Sequence, residues 1–249
     1  MLDNAAGHRI TVVLQGLPVD TLADLPPEPG RLLFVGLNPS PVSVAAGHYH
    51  QGRLGREFWR RLVTATILPP DTDLDAADDA LVAAGHGITD LLKLPTPRDT
   101  ATDPELRAGV GPLFQKVAIW RPAAVVFVYK RGAEACAGRS LPEPWGRVEG
   151  LALAARPCFL MPGPYAPADE VRAGLNLIRN LSPRSRGSPL VGRQGSRKRR
   201  AKPGYGRSGT SSKSIRPAAT SGRRSIAARA AATSWTSNSR TPFGESARK

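Results

Sequence analysis

The sequence predicts an α/β fold, a three-layer α/β/α sandwich in which helices cover both faces of a mostly parallel central sheet. Unbroken apolar runs at 32–37, 123–129 and 158–161 are typical of strands buried on both faces. Segments with apolar residues at helical spacing separate these runs. Strands that alternate with helices favour parallel pairing, and the alternation ends near Leu181, so we expect one domain over residues 1–181.

The net charge of +15 comes from the C-terminal segment. Of the 35 Lys and Arg residues, 17 lie in residues 182–249 against the single acid Glu245, which leaves 18 basic and 19 acidic side chains in the first 181 residues. The segment is rich in Ser, Arg, Gly, Ala and Pro, so we expect a disordered basic tail that cannot offset its ordering entropy. A solvated tail, a nucleic-acid-tethering arm and a shifted reading frame remain open.

Composition excludes several classes of protein. The two cysteines, Cys136 and Cys158, form neither a disulfide framework nor a zinc-type pairing. No apolar run approaches the roughly 20 residues of a membrane span, and the N-terminus lacks the pattern of a signal peptide. We therefore expect a cytoplasmic monomer with no membrane partner.

The first half of the chain predicts an edge strand at 10–14, and prolines from Pro18 to Pro29 indicate a loop. After the strand at 32–37, small residues predict a loop over 38–55. Two helices and a short strand then follow, over 56–68, 75–84 and 87–92.

The second half predicts a helix over 103–120, where Asp103 resembles an N-cap and Pro104 occupies the first helical position. Its expected buried residues are Leu106, Val110, Leu113, Phe114 and Val117. A further helix follows Lys130, and Pro167 opens the last one, with Val171, Leu175, Ile178 and Leu181 on one face.

Three loops follow the strongest strands, at 36–40, 129–132 and 161–165. In a doubly wound sheet they face one crevice, where such sheets bind ligands. The first loop delivers Asn38 onto a turn fixed by Pro39. The loops carry few charges and lack a phosphate-binding glycine pattern, so the crevice suits a neutral, flat, hydrogen-bonding ligand.

Several segments of the chain resemble mismatch-specific uracil/thymine-DNA glycosylases of the uracil-DNA glycosylase superfamily. The first motif region is matched by Gly36-Leu37-Asn38-Pro39, Gly47-His48-Tyr49-His50 and Phe58-Trp59. The second motif is matched by Met161-Pro162-Gly163-Pro164-Tyr165-Ala166, and a third segment by Gly87-Ile88-Thr89-Asp90-Leu91. The similarity covers about residues 30–181.

The resemblance implies a monofunctional glycosylase that hydrolyses the N-glycosidic bond of an extruded uracil or related mispaired pyrimidine in duplex DNA. G·U pairs are the expected substrate, with G·T a further candidate, and the product enters base excision repair. Asn38 matches the residue that positions the attacking water, because an amide oxygen accepts a hydrogen bond from water. No carboxylate stands beside it in the motif, and the reaction needs no metal or cofactor.

The resemblance also implies which residues contact the DNA. The expected base-binding residues are Leu37, Ser40, Tyr49 and His50, and the choice between Tyr49 and His50 as the stacking ring stays open. The expected DNA-binding residues are Lys130, Arg131, Gly163, Pro164, Tyr165 and Ala166. In this set, Tyr165 is a candidate to insert into the gap that the extruded base leaves in the duplex. The two basic residues, Lys130 and Arg131, are expected to contact phosphates.

The chain departs from the family pattern at three places, which leaves alternatives open. Ser40 replaces a glycine, residues 55–57 replace an Asn-containing helix start, and the second motif carries two extra prolines. A glycosylase for deaminated purines such as hypoxanthine, or a non-catalytic nucleic-acid-binding scaffold, are the rival functions. The His48-x-His50 pair has no third ligand near in sequence, so we expect no metal there. We expect His86 at the surface.

Overall fold

The computed structural model describes residues 7–97 and 100–181. The basic tail predicted at 182–249 lies outside the described residues. Its predicted disorder and its predicted boundary therefore stay predictions. The strands are β1 (Arg9–Leu14), β2 (Leu17–Leu22), β3 (Leu32–Gly36), β4 (Gly87–Asp90), β5 (Ala124–Phe127), β6 (Gly146–Leu153) and β7 (Arg156–Leu160). The helices are α1 (Pro41–Ala46), α2 (Gly52–Thr64), α3 (Ala77–Ala83), α4 (Asp103–Trp120), α5 (Lys130–Ala137) and α6 (Ala168–Leu181).

The predicted α/β sandwich is confirmed. The central sheet has the order β4-β3-β5-β7-β6, with the first four strands parallel and β6 antiparallel at one edge. Alternate residues of each central strand point to opposite faces. Phe34 therefore packs in one core with α2, α3 and α6, while Val35 packs in a second core with α4 and α5. In the described residues, no helix is both long enough and apolar enough to span a membrane.

The strand β2 contradicts the loop expected from Pro18. In the structure, Pro18 lies opposite Val13 in the antiparallel β1–β2 hairpin. A two-stranded ribbon has a free edge on each strand, so a residue without a backbone N–H fits there.

Two further elements escaped prediction. The helix α1 forms where a loop was expected, because Ser40 accepts a hydrogen bond from the Ser43 N–H and Pro41 occupies the first turn. The strand β6 is an edge strand interrupted by a register shift between Arg147 and Ala152. Its charges and Gly150 hide the alternation that would otherwise mark a strand.

Individual side chains also differ from expectation. On α4, Leu106, Leu113 and Val117 are buried as predicted, but Phe114 is 47% exposed. His86, expected at the surface, is 3% exposed, and its Nδ1 accepts a hydrogen bond from the Leu32 N–H at 3.1 Å. Burial lowers the pKa of His86 to about 4, with nearby Arg31 adding to the effect, so the ring stays neutral and can accept this bond.

Candidate functional site

A cleft of about 310 Å³ opens where β3 and β4 end. All five predicted catalytic and base-binding residues line it, namely Leu37, Asn38, Ser40, Tyr49 and His50. Asp90 and Tyr129, which sequence analysis did not assign to the base site, line it as well. The first and second predicted strand ends therefore meet at one site, as expected for the carboxyl ends of parallel strands.

Asn38 holds a fixed orientation at this cleft. Its Nδ2 donates hydrogen bonds to Thr96 Oγ1 at 2.7 Å and to the Leu94 carbonyl at 3.3 Å. A longer contact of Nδ2 to the Pro39 carbonyl at 3.4 Å completes its acceptors, which leaves Oδ1 as the other polar atom of the amide. No donor from the described residues is bonded to Oδ1. The half-buried amide can thus accept one hydrogen bond from a water molecule or ligand.

Ser40 and Leu37 have structural duties in addition to lining the cleft. Ser40 Oγ accepts from the Ser43 N–H at 3.2 Å and donates to Ser43 Oγ at 2.9 Å, so it begins helix α1. The Leu37 side chain is 5% exposed, and its carbonyl accepts a hydrogen bond from the Leu92 N–H at 2.9 Å. That backbone bond extends the β3–β4 pairing and keeps the turn before Asn38 rigid.

The two candidate stacking rings differ in access. Tyr49 is only 1% exposed, and its hydroxyl donates to the Ala23 carbonyl at 2.8 Å. Burial, together with the nearby Asp90 carboxyl, raises its pKa well above the ordinary value of 10. A ring enclosed in this way offers a ligand little surface, whereas His50 is half-buried. Both rings line the cleft, and His50 is the less buried residue of the two, although its Nε2 is itself enclosed.

His50 lies in an aromatic wall. Its ring centroid is 4.4 Å from that of Phe58 and 6.2 Å from that of Tyr129. Burial lowers its pKa to about 4, so the imidazole is neutral at physiological pH. Its Nε2 is buried and has no hydrogen-bond partner among the described residues. Gly55 allows this packing, because a Cβ at that position would collide with the His50 carbonyl.

Asp90 lies outside the Asn38 motif, in which no carboxylate was expected, and brings a carboxyl to the cleft that Asn38 also lines. It is the last residue of β4, paired in register with Gly36, and is 3% exposed. Its Oδ1 lies so close to Gly36 that a Cβ there would collide with it. Its Oδ2 is buried and has no partner among the described residues. The sequence could have indicated Asp90 as a site residue, because it stands at the end of a predicted strand, just as Asn38 follows the neighbouring strand.

The protonation of Asp90 is set by its surroundings. Burial raises the pKa of the carboxyl to about 7, and the Asp24 charge also raises it, while Lys93 and Lys116 oppose the rise. Both lysines are engaged with Asp24, at 2.6 Å and 2.8 Å from its carboxylate oxygens. They therefore neutralise Asp24, whose own pKa is lowered despite burial. Asp90 is left as a group that exchanges protons near neutral pH.

The second predicted motif forms a loop beside the cleft. Residues 161, 162 and 164 border a groove that shares Leu54 and Tyr129 with the cleft. Arg61 of α2 holds the loop, since its guanidinium donates to the carbonyls of Pro162, Gly163 and Pro164 at 3.0–3.2 Å. Within the loop, the Ala166 N–H donates to the Gly163 carbonyl, and Tyr165 is 81% exposed. The loop therefore presents an exposed aromatic ring on an anchored backbone.

We expect Arg61→Lys to lower the free energy of unfolding by about 1–3 kcal/mol, because an ammonium group cannot reproduce the planar fork that reaches three carbonyls. Urea unfolding followed by circular dichroism measures the change. Arg60→Lys is the matched control, since Arg60 lies on the same helix with a side chain that is 55% exposed. Equal effects of the two substitutions would contradict the anchoring role.

The predicted phosphate contacts after β5 do not line the cleft. Lys130 and Arg131 begin α5, and both are half-buried. Arg131 donates to the Ala101 carbonyl at 2.6 Å and to Asp103 Oδ1 at 3.0 Å, so it links α5 to the start of α4. Its charge is thereby partly neutralised within the protein. Tyr129, which directly precedes Lys130, is the residue of this loop that lines the cleft.

Comparison with known proteins adds no assignment, since no protein-family model and no curated protein matches this chain.

Proposed function

We propose that this protein is a monofunctional DNA glycosylase that hydrolyses the N-glycosidic bond of uracil, or of a related mispaired pyrimidine, in duplex DNA. The observation that carries the proposal is the pairing of two groups in one cleft. One is the Asn38 amide, whose Oδ1 remains able to accept a hydrogen bond, and the other is the buried Asp90 carboxyl. We expect it to act in the cytoplasm on nucleoid DNA as the first step of base excision repair.

The size of the cleft supports a single nucleobase as ligand. About 310 Å³ lies at the small end of the range for small-molecule sites, roughly 300–1,000 Å³. A base inside a duplex cannot enter such a cleft, so the nucleotide must be extruded from the stack. The exposed Tyr165 on its anchored loop is suited to fill the gap left behind.

The polar groups support hydrolysis by water. The bond between C1′ and the base nitrogen breaks with its electron pair leaving on the base, and the sugar becomes a cation. Asn38 Oδ1 holds a water molecule in line with C1′. As the water oxygen bonds to C1′, its proton passes to ionised Asp90, which later releases it to the departed base or to solvent. A general base whose pKa is near neutral suits this transfer.

Base recognition follows from the neutral character of the cleft wall. The His50 imidazole is uncharged at physiological pH, so it can stack on a base without a desolvated charge. Residues 37–40 line the same cleft, and we expect polar groups of this segment to bond the edge of the base. A site of this kind suits uracil. Hypoxanthine is the main alternative substrate.

A panel of lesion duplexes tests the proposal. Full-length protein is incubated with duplexes that carry G·U, G·T, hypoxanthine or an undamaged pair, and released base is measured by chromatography. We expect free uracil from G·U and strand breaks only after alkali treatment, since a monofunctional enzyme leaves an intact abasic strand. Release of hypoxanthine alone would support the purine rival. Steeply salt-dependent binding without base release would support the non-catalytic scaffold.

A further inference from the structure

Four metal-ligand side chains from three chain segments meet outside the cleft. His8 comes from the turn before β1, His48 from the loop between α1 and α2, and Asp78 and Asp79 from the first turn of α3. One ligand atom from each lies within 4.8 Å of every other. Sequence spacing does not indicate this cluster, because His8 and the two aspartates are distant from His48 in the chain.

The ligand atoms lie close enough together to surround one metal ion. His48 Nδ1 lies 2.7 Å from Asp78 Oδ1, His8 Nε2 lies 2.8 Å from Asp79 Oδ1, and His8 Nε2 lies 3.9 Å from Asp78 Oδ2. Ligand atoms around zinc are about 3.3 Å apart, as follows from bonds of about 2.0–2.1 Å. The two shorter values are hydrogen-bond distances, so a bound ion would replace these imidazole–carboxylate hydrogen bonds and widen each pair by about 0.5 Å.

Hydrogen bonds from backbone groups hold the ligand-bearing segments together. The His8 N–H donates to the Gly47 carbonyl at 2.6 Å, and the Ala23 N–H donates to the His8 carbonyl at 2.8 Å. The Tyr49 N–H donates to Asp78 Oδ2 at 2.8 Å, which ties the next residue of the same loop to the cluster. The segments would therefore stay together before an ion binds.

The donor set selects the class of ion. Two imidazoles and two carboxylates give two formal negative charges, and the Asp78 side chain has no exposed surface. Imidazole and carboxylate ligands in a four-coordinate arrangement suit a divalent transition metal, zinc above all. We propose that His8, His48, Asp78 and Asp79 form a structural Zn²⁺ site.

The site would stabilise one wall of the cleft. His48 directly precedes Tyr49 and His50, both of which line the cleft. The two histidines of the His48-x-His50 pattern therefore have different surroundings. His48 contacts Asp78, whereas the His50 ring packs against Phe58. An ion bound at His48 would hold this loop to the N-terminal turn and to α3. Its role is separate from the hydrolytic reaction.

Metal binding by the full-length protein tests the proposal directly. After removal of metal by a chelator, Zn²⁺ alone is titrated by calorimetry, and the melting temperature is measured with and without Zn²⁺. We expect one equivalent to bind and the melting temperature to rise. His8→Gln and Asp79→Asn should each weaken binding at least tenfold, because each removes a ligand from a different segment at a partly exposed position.

Asp71→Asn is the matched control, since Asp71 is an exposed acid in the loop before α3 and lies outside the cluster. It should bind Zn²⁺ as the wild type does. The thiols offer weak competition, because burial raises the pKa of Cys136 and Cys158 to about 12. Failure of the wild type to bind one equivalent, or wild-type affinity in both ligand variants, would overturn the site. In either case the two imidazole–carboxylate pairs would act as hydrogen-bonded links only.

Discussion

Replacing Asp90 with Asn is expected to lower the rate of uracil release by about 100- to 10,000-fold at pH 8, the usual contribution of a positioned proton acceptor. The same substitution should make the folded protein more stable. The amide has nearly the shape of the carboxyl but cannot ionise, so the attacking water loses its base and the core loses a buried charge. Single-turnover base release and urea unfolding of the same preparations measure the two effects.

The gain in stability has a defined pH window. The folded pKa of Asp90 is about 7, raised chiefly by burial from the ordinary value of 3.8. Below about pH 4 the carboxyl is protonated in both states, so wild type and variant should be equally stable. Between pH 4 and 7 the unfolded state releases a proton that the folded state keeps, and wild-type stability falls. Above pH 7 the difference reaches its full value, up to about 4 kcal/mol.

The rate should depend on pH in the opposite sense. Because the ionised carboxyl accepts the proton of water, wild-type base release should rise with pH to a plateau above about pH 7. The Asp90→Asn profile should be flat over the same range. Asp71→Asn, at an exposed position, should leave both rate and stability unchanged. A wild-type rate that falls as pH rises would instead indicate that the protonated acid is the active form.

Replacing Asn38 with Ala is expected to lower the rate of uracil release by about 100-fold, with only a modest change in the binding of duplex DNA. The alanine cannot hold the water in line with C1′, and the loss of that alignment costs rate rather than affinity. The contacts of the amide with Thr96 and Leu94 disappear as well, so the turn is also expected to loosen. Single-turnover kinetics and equilibrium DNA binding separate the two effects.

Asn176→Ala serves as the control for this substitution, since Asn176 is exposed on α6 and does not line the cleft. Its rate should equal that of the wild type. If Asn38→Ala releases uracil as fast as this control, the water-positioning role is wrong even where the glycosylase activity itself is present. If both substitutions lower the melting temperature equally, the contacts of Asn38 add nothing to the turn.

The two substitutions change a site whose buried polar groups lower the stability of the folded protein. A buried carboxyl without a hydrogen-bond partner destabilises a protein, as does an unpartnered imidazole nitrogen. Within the part of the chain that the structure describes, Asp90 Oδ2 and His50 Nε2 have no partner, and both residues line the same cleft. Strain of this kind concentrates where function requires it, so the expected opposition between activity and stability at Asp90 is itself informative.

The sequence by itself determined the order of the main elements and the position of Asn38 after a buried strand. Continuous apolar runs, helical spacing and turn residues are local patterns, and they predicted β3, α4, β5 and α6 with their bounds shifted by at most a few residues. Weak local signals explain the misses, as in α1, whose start at Ser40 and Pro41 is marked but whose six residues hold little apolar pattern.

Only the tertiary structure decided which distant residues meet. It places Asp90 against Gly36 and directs the His50 ring into a different environment from that of His48. It also brings Arg61 within hydrogen-bonding distance of the loop at 162–164. Chain spacing cannot predict such contacts, because they depend on the register of parallel strands and the packing of helices over them. The raised pKa of Asp90 arises in the same way, since desolvation belongs to the folded surroundings and not to the residue.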